Sequence, residues 1–277
     1  MSEFNPPLSE QQVRSYKEDG YIIVKNLFNQ EETDLLLSAA EEDKLLHEKA
    51  FDVKDKSGKN TRLSLWNHPG DDIWGAVCRG NRIVGGMEQL LGGEVYHYHS
   101  KLMLKEPREG GAWEWHQDYG YWYENGCLYP YMGSCLIALN QADKGNGCLQ
   151  VIKGSHHMGR VEHGKFGGQF CADPERVEKA LEQLELVHCE LEPGSGLFFH
   201  GNLLHRSDDN TSERSRWSLI CCYNAARNNP FKEHHHPQYT PLKKMPDSAL
   251  SRIGMKLSSS SGNFMDKNDN TNSRERE

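Results

Sequence analysis

Trp113-Glu114-Trp115-His116-Gln117-Asp118-Tyr119 is the stretch on which the reading of this chain turns. His116 and Asp118 stand two apart, and on a strand positions i and i+2 project to one side. An imidazole and a carboxylate at a strand end can therefore be aimed at one ion. The third ligand must come from a neighbouring strand, at no fixed spacing. His205, in Leu203-Leu204-His205-Arg206-Ser207, follows the apolar run Gly196–His200 that brings the chain back. Two imidazoles and one carboxylate are the set that holds Fe(II) by one face and leaves three positions open. The tripeptide alone is a weak signal. In a chain with 14 histidines, a surface histidine beside a turn aspartate is, on the tripeptide alone, the plainer reading.

A further element gives it weight. Arg216 lies eleven residues beyond His205, and Ser218 two further on. A guanidinium fork matches a carboxylate bidentately, and a hydroxyl can add a bond. An arginine between Ser215 and Trp217, at the head of an apolar strand, suits a buried carboxylate site. An arginine on an exposed edge strand is the plain alternative.

Composition narrows the class. The 277 residues carry a net charge of -8, and 36% are apolar. This suits one large domain, 1–256, followed by a polar, repetitive tail over 257–277 that we expect to be disordered. The mildly acidic balance gives no support to nucleic acid or an anionic membrane as partner. No run of about 18 apolar residues suggests a membrane span. Met1–Pro7 lacks a signal-peptide pattern, so a cytoplasmic location is expected. The eight cysteines show no paired metal spacing, which fits free thiols in a reducing compartment.

Ser9 is expected to cap a helix ending at Gly20, with strand Tyr21–Val24 behind it. Asn29 caps a second helix. Residues 50–75 look irregular and polar. Ile83, Val84, Met87, Leu90 and Leu91 repeat at helical spacing up to Gly92. Strands are expected at Val95–Lys105, Ser134–Leu139, Cys148–Ile152, Gly196–His200 and Trp217–Tyr223. Asp173-Pro174 starts a helix between them. Helices first and short strands afterwards predict an α+β chain with a β-sandwich or jelly-roll core.

Taken in order, these motifs resemble the phytanoyl-CoA dioxygenase family. They are Asp19-Gly20-Tyr21-Ile22-Ile23-Val24, His116-x-Asp118, Gly147-Cys148-Leu149-(x)4-Gly154-Ser155-His156, Pro193-Gly194-Ser195-Gly196 and His205-(x)10-Arg216-x-Ser218. The likeness runs from about residue 8 to 230. Lys153 departs from it, standing where the family usually has proline. The resemblance implies a double-stranded β-helix (cupin-like jelly roll) flanked by N-terminal helices. It also implies an enzyme that uses Fe(II), 2-oxoglutarate and O2 to hydroxylate a C–H bond, with release of succinate and CO2. By carry-over, His116, Asp118 and His205 bind iron, and Arg216, supported by Ser218, binds 2-oxoglutarate. Relatives that halogenate replace the aspartate by a small residue, so Asp118 argues for hydroxylation.

The substrate side is less specific. Tyr119, Tyr121, Trp122 and Tyr123 follow the metal motif, and electron-rich faces suit an ammonium group. The segment from His116 to Trp122, with Asn125-Gly126 and Pro130, resembles ectoine hydroxylases and dioxygenases of 2-aminoethylphosphonate and its trimethylated form. A small zwitterion is therefore expected as the small-molecule partner. His97, His99, Lys101 and Met103 share a strand face by period two, and His99 and Lys101 are candidates to meet 2-oxoglutarate or another anion. Trp113 and Asn146 are further substrate candidates. His234-His235-His236 reads as a solvated loop, since Pro237 follows. Acyl-CoA α-hydroxylation and a non-catalytic jelly-roll scaffold are the competing readings.

Overall fold

A capping box opens the first helix as expected. Ser9 accepts from the Gln12 amide and Gln12 answers on the Ser9 amide, starting α1 (Glu10–Asp19), which Gly20 ends at φ 84°. After β1 (Tyr21–Val24), Asn29 and Glu32 repeat the device for α2 (Gln30–Glu42), and α3 (Lys44–Glu48) adds a short turn. The computed structural model describes residues 4–166 and 169–265.

The stretch 50–75, expected to be irregular, holds regular elements. β2 (Phe51–Lys54) and β3 (Asn60–Trp66) form a hairpin, and Asp72 caps α4 (Ile73–Arg79). β2 lies at a sheet edge, where outward polar residues are tolerated and the apolar signal is diluted. Then come α5 (Asn81–Leu91), β4 (Val95–Lys105), β5 (Trp113–His116), α6 (Asp118–Glu124), β6 (Met132–Ala138) and β7 (Leu149–Ile152). A hairpin of β8 (His163–Phe166) and β9 (Gln169–Ala172) leads to α7 (Pro174–Gln183), capped by Asp173. The chain closes with β10 (Leu186–Cys189), β11 (Gly196–His200), β12 (His205–Ser207), β13 (Arg216–Ala225) and α8 (Ala249–Ile253).

Two antiparallel sheets build the jelly roll. The larger runs β1-β11-β6-β13-β4-β3-β2 and the smaller β10-β7-β12-β5. The helical layer, with Leu36, Trp74, Ile83 and Met87, packs with outward residues of the larger sheet such as Leu102, Leu104 and Leu219. Between the sheets lies a second core that includes Tyr98, Met103, Leu136, Val151 and Phe199. No described helix is long and apolar enough to cross a membrane.

Residues 257–265, expected within a disordered tail, belong to the folded body. The Asn67 amide donates to Asn263 O, Phe264 packs on Trp66 with ring centroids 5.9 Å apart, and the buried Met265 donates its amide to Leu65 O. Two apolar anchors inside a polar stretch are enough to dock it. The remainder of the expected tail, 266–277, lies outside the described residues.

Candidate metal centre and its cavity

β5 ends at His116 and Asp118 begins α6, so the pair straddles a strand end and a helix start. β12 pairs antiparallel with β5 and sets His205 directly across from His116. His116 Nε2 and His205 Nε2 each lie 3.8 Å from Asp118 Oδ1. All three donor atoms fall within 4.8 Å of one another. With ligand bonds of about 2.1 Å, two donors up to roughly 4 Å apart can share one ion.

The surroundings choose which atoms face the centre. His116 Nδ1 donates to Glu114 O at 2.8 Å and His205 Nδ1 to Leu203 O at 2.9 Å, leaving both Nε2 lone pairs free. Burial holds both imidazoles below the usual histidine range, and His205 depresses His116 further. Ser134 donates its hydroxyl to Asp118 Oδ2 at 2.9 Å, which leaves Oδ1 for an ion. Two imidazole Nε2 lone pairs and one carboxylate oxygen make a donor set that suits divalent iron.

Gln117, between the two ligands, points away and latches the loop. Its Nε2 donates to Gly159 O and Asn202 O, and its Oε1 accepts from the Val161 amide. The Gln117 amide donates to His163 Nε2 at 2.9 Å. The His163 ring fills the space above Gly120, where a Cβ would stand 2.4 Å from it, so only glycine fits there.

Arg216 enters from the larger sheet, buried, and its Nη1 donates to Ser218 Oγ at 3.1 Å. Its Nε is buried without a partner, and burial brings the guanidinium down to about 10. Beside it in register stands Lys105, which the sequence did not single out. Lys105 is fully buried, donates to Ser207 Oγ at 2.9 Å and to Asp208 O, and is held well below the usual lysine range by burial and then by Arg216. The β13–β4 register shifts between Cys222 and Tyr223, which pair with His99 and His97 and leave Tyr98 as an extra residue. His99, Lys101 and Met103 therefore keep the inward face, but His97 turns outward and bonds Asn67 O and Ser100 Oγ. The expected four-residue face is thus corrected to three.

A cavity opens beside His116 and Asp118, with about 70 Å³ of room for water-sized molecules. Trp113, Tyr121 and Trp122 wall it, with His99 and Lys101 below. Three other candidates stand away from it. Tyr119 is buried with its hydroxyl donating to Cys127 O, because α6 turns successive side chains to different sides. Tyr123 is 43% exposed, under the Arg160 guanidinium at 4.4 Å. Asn146 closes its own turn, accepting from the Asp143 amide and donating to Gln141 O.

Leu63, Leu65, Asn125, His235 and His236 also line the cavity and were not foreseen. The expectation of a solvated His234–His236 loop is corrected. His236 is 8% exposed and stacks on His99 with centroids 4.5 Å apart. Asn67 pins it, donating to His235 O and accepting from His236 Nδ1. No local pattern announces this clamp, whose partners are 168 residues apart.

Barrel and donor set together define the class of 2-oxoglutarate-dependent, non-haem iron dioxygenases, and this chain is an enzyme of that class. Residues 16–218 match the phytanoyl-CoA dioxygenase (PhyH) family, and the chain belongs to it. It is 30% identical to L-proline trans-4-hydroxylase of Streptomyces griseoviridis, over 87% of this chain and 94% of that protein. Ectoine dioxygenase of Bordetella parapertussis is 29% identical, over 85% and 82% respectively. Among solved structures, EctD from S. alaskensis with 2-oxoglutarate and 5-hydroxyectoine has the same fold at TM-score 0.74 and 24% identity, covering 88% of this chain and 90% of that one.

Proposed function

We propose that this dioxygenase hydroxylates a C–H bond of a small zwitterion, of aminoethylphosphonate or quaternary-ammonium type. The cavity wall carries the proposal. It combines aromatic faces with imidazoles and one ammonium, Lys101, that bonds to no described residue. Asp118 is the one carboxylate among its described lining. A substrate cation would meet Trp113, Tyr121 and Trp122 by their faces. An anionic group would meet Lys101. The limited free space favours a small metabolite over an acyl-CoA. L-proline and ectoine, named in the similar proteins, are both small zwitterions.

In this reading His116, Asp118 and His205 hold the iron. When bound, iron couples decarboxylation of 2-oxoglutarate by O2, giving succinate and CO2, to placing one oxygen atom in the substrate C–H bond. Arg216 and Ser218 hold the distal carboxylate of 2-oxoglutarate, and the bare Arg216 Nε supports that role. Lys101, with His99 beside it, takes an anionic group nearer the metal. The aromatic wall orients the substrate and keeps bulk water out.

Succinate release measured against a panel of small zwitterions and acyl-CoA thioesters tests this. Turnover of a zwitterion is expected, and turnover of acyl-CoA alone would overturn the substrate reading. Asp118→Ala should lose iron and turnover. Arg216→Ala should raise the 2-oxoglutarate KM about 100-fold, the loss of a charge-assisted pair of about 2.7 kcal/mol. A normal KM in that variant would move the cosubstrate site elsewhere.

A further inference from the structure

His236 sits in the cavity wall with its tautomer fixed. Asn67 Nδ2 donates to His235 O at 2.6 Å, so the other arm of that amide is its oxygen. His236 Nδ1 lies 2.8 Å from this oxygen and must be the donor. In a neutral imidazole the lone pair then resides on Nε2. Burial first, and His99 next, hold His236 well below the usual histidine range, so the ring is neutral. No described residue bonds to Nε2. The ring cannot swing away, being stacked on His99 at 4.5 Å and against Tyr98 at 4.6 Å. The wall therefore holds a fixed, unused acceptor in the same cavity as Tyr121 and Trp122.

We propose that His236 Nε2 accepts an N–H from the substrate's ammonium group, so that the enzyme favours primary or secondary ammonium zwitterions over quaternary ones. This rests on the zwitterion reading and narrows it. Aromatic faces attract any cation, methylated or not. An acceptor that faces a small cavity discriminates, because a quaternary group filling that cavity leaves its lone pair desolvated and unpaired.

Two matched pairs test the inference: 2-aminoethylphosphonate with its N-trimethyl analogue, and L-proline with N,N-dimethyl-L-proline. Binding is measured calorimetrically on protein loaded with Fe(II) and 2-oxoglutarate under argon, and hydroxylation is measured in air. The N–H-bearing member of at least one pair should bind about 10-fold or more tighter, as expected for a hydrogen bond to a charged donor. His236→Phe should bring that ratio below about 3-fold, while His236→Gln, which keeps an acceptor, retains part of it. Should His236→Phe fail to fold, Asn67→Leu frees the tautomer and should also shrink the ratio. An unchanged ratio in a folded His236→Phe variant, or a wild-type preference for the quaternary member, overturns the inference but leaves the zwitterion reading standing. If the wild type binds and hydroxylates none of the four, the zwitterion reading falls and the inference with it.

Discussion

Ser134 illustrates how little of a metal site is made by its ligands. Its hydroxyl occupies Asp118 Oδ2 and decides that Oδ1 faces the two imidazoles. Ser134→Ala should weaken Fe(II) or Mn(II) binding about 10-fold, the usual effect of losing an orienting partner, as read by competition with a chelating dye. Undiminished affinity would mean that helix α6 alone orients the carboxylate. The candidate ligands themselves are legible in sequence because metal chemistry restricts which residues can serve. Ser134 is not, since a serine in an apolar strand carries no pattern. His97 and His99 look equivalent by period two, and only the extra residue Tyr98 separates them.

Among the elements, those with local punctuation are the legible ones. Ser9, Asn29 and Asp173 cap their helices as read, since capping is settled within a few residues. Strands β5 and β12 are too short to show a period, although they carry His116 and His205. Between elements, Arg82 of α5 pairs with Glu32 of α2 at 2.6 Å, reaches Leu27 O, and lies over the Phe28 ring. Burial pushes the Glu32 carboxyl upward, but the Arg82 bond and the Asn29 amide outweigh it and leave it below the ordinary range. A depressed folded pKa stabilises the protein above the unfolded value and is lost as pH falls through the folded one. Arg82→Ala should therefore cost about 3 kcal/mol at pH 7 in urea unfolding, as for breaking a largely buried pair. The difference from wild type should narrow as pH falls below the ordinary carboxylate range and through the depressed folded value of Glu32. A gap constant with pH would assign the loss to packing on Phe28 instead.

At the level of the whole molecule, the candidate site joins the two sheets. His116 and His205 come from the smaller sheet, while Arg216, His99 and Lys101 come from the larger. Iron on one side and 2-oxoglutarate reaching to Arg216 on the other would bridge them, so binding should stabilise the jelly roll as a unit. Ligands at 100 times their dissociation constant add about 2.7 kcal/mol each to the folded state. For a domain of this size each kcal/mol raises Tm by about 2–4 °C. Anaerobic Fe(II) with 2-oxoglutarate should thus raise Tm by roughly 10–20 °C, and a chelator should reverse it. The two halves separate by mutation. Asp118→Ala should abolish the metal-dependent rise, whereas Arg216→Ala should keep the rise from iron and lose the increment from 2-oxoglutarate. A full rise in Asp118→Ala would show that the metal binds outside the triad. An undiminished 2-oxoglutarate increment in Arg216→Ala would detach the cosubstrate from the larger sheet and undo the account of the site as a bridge between the two.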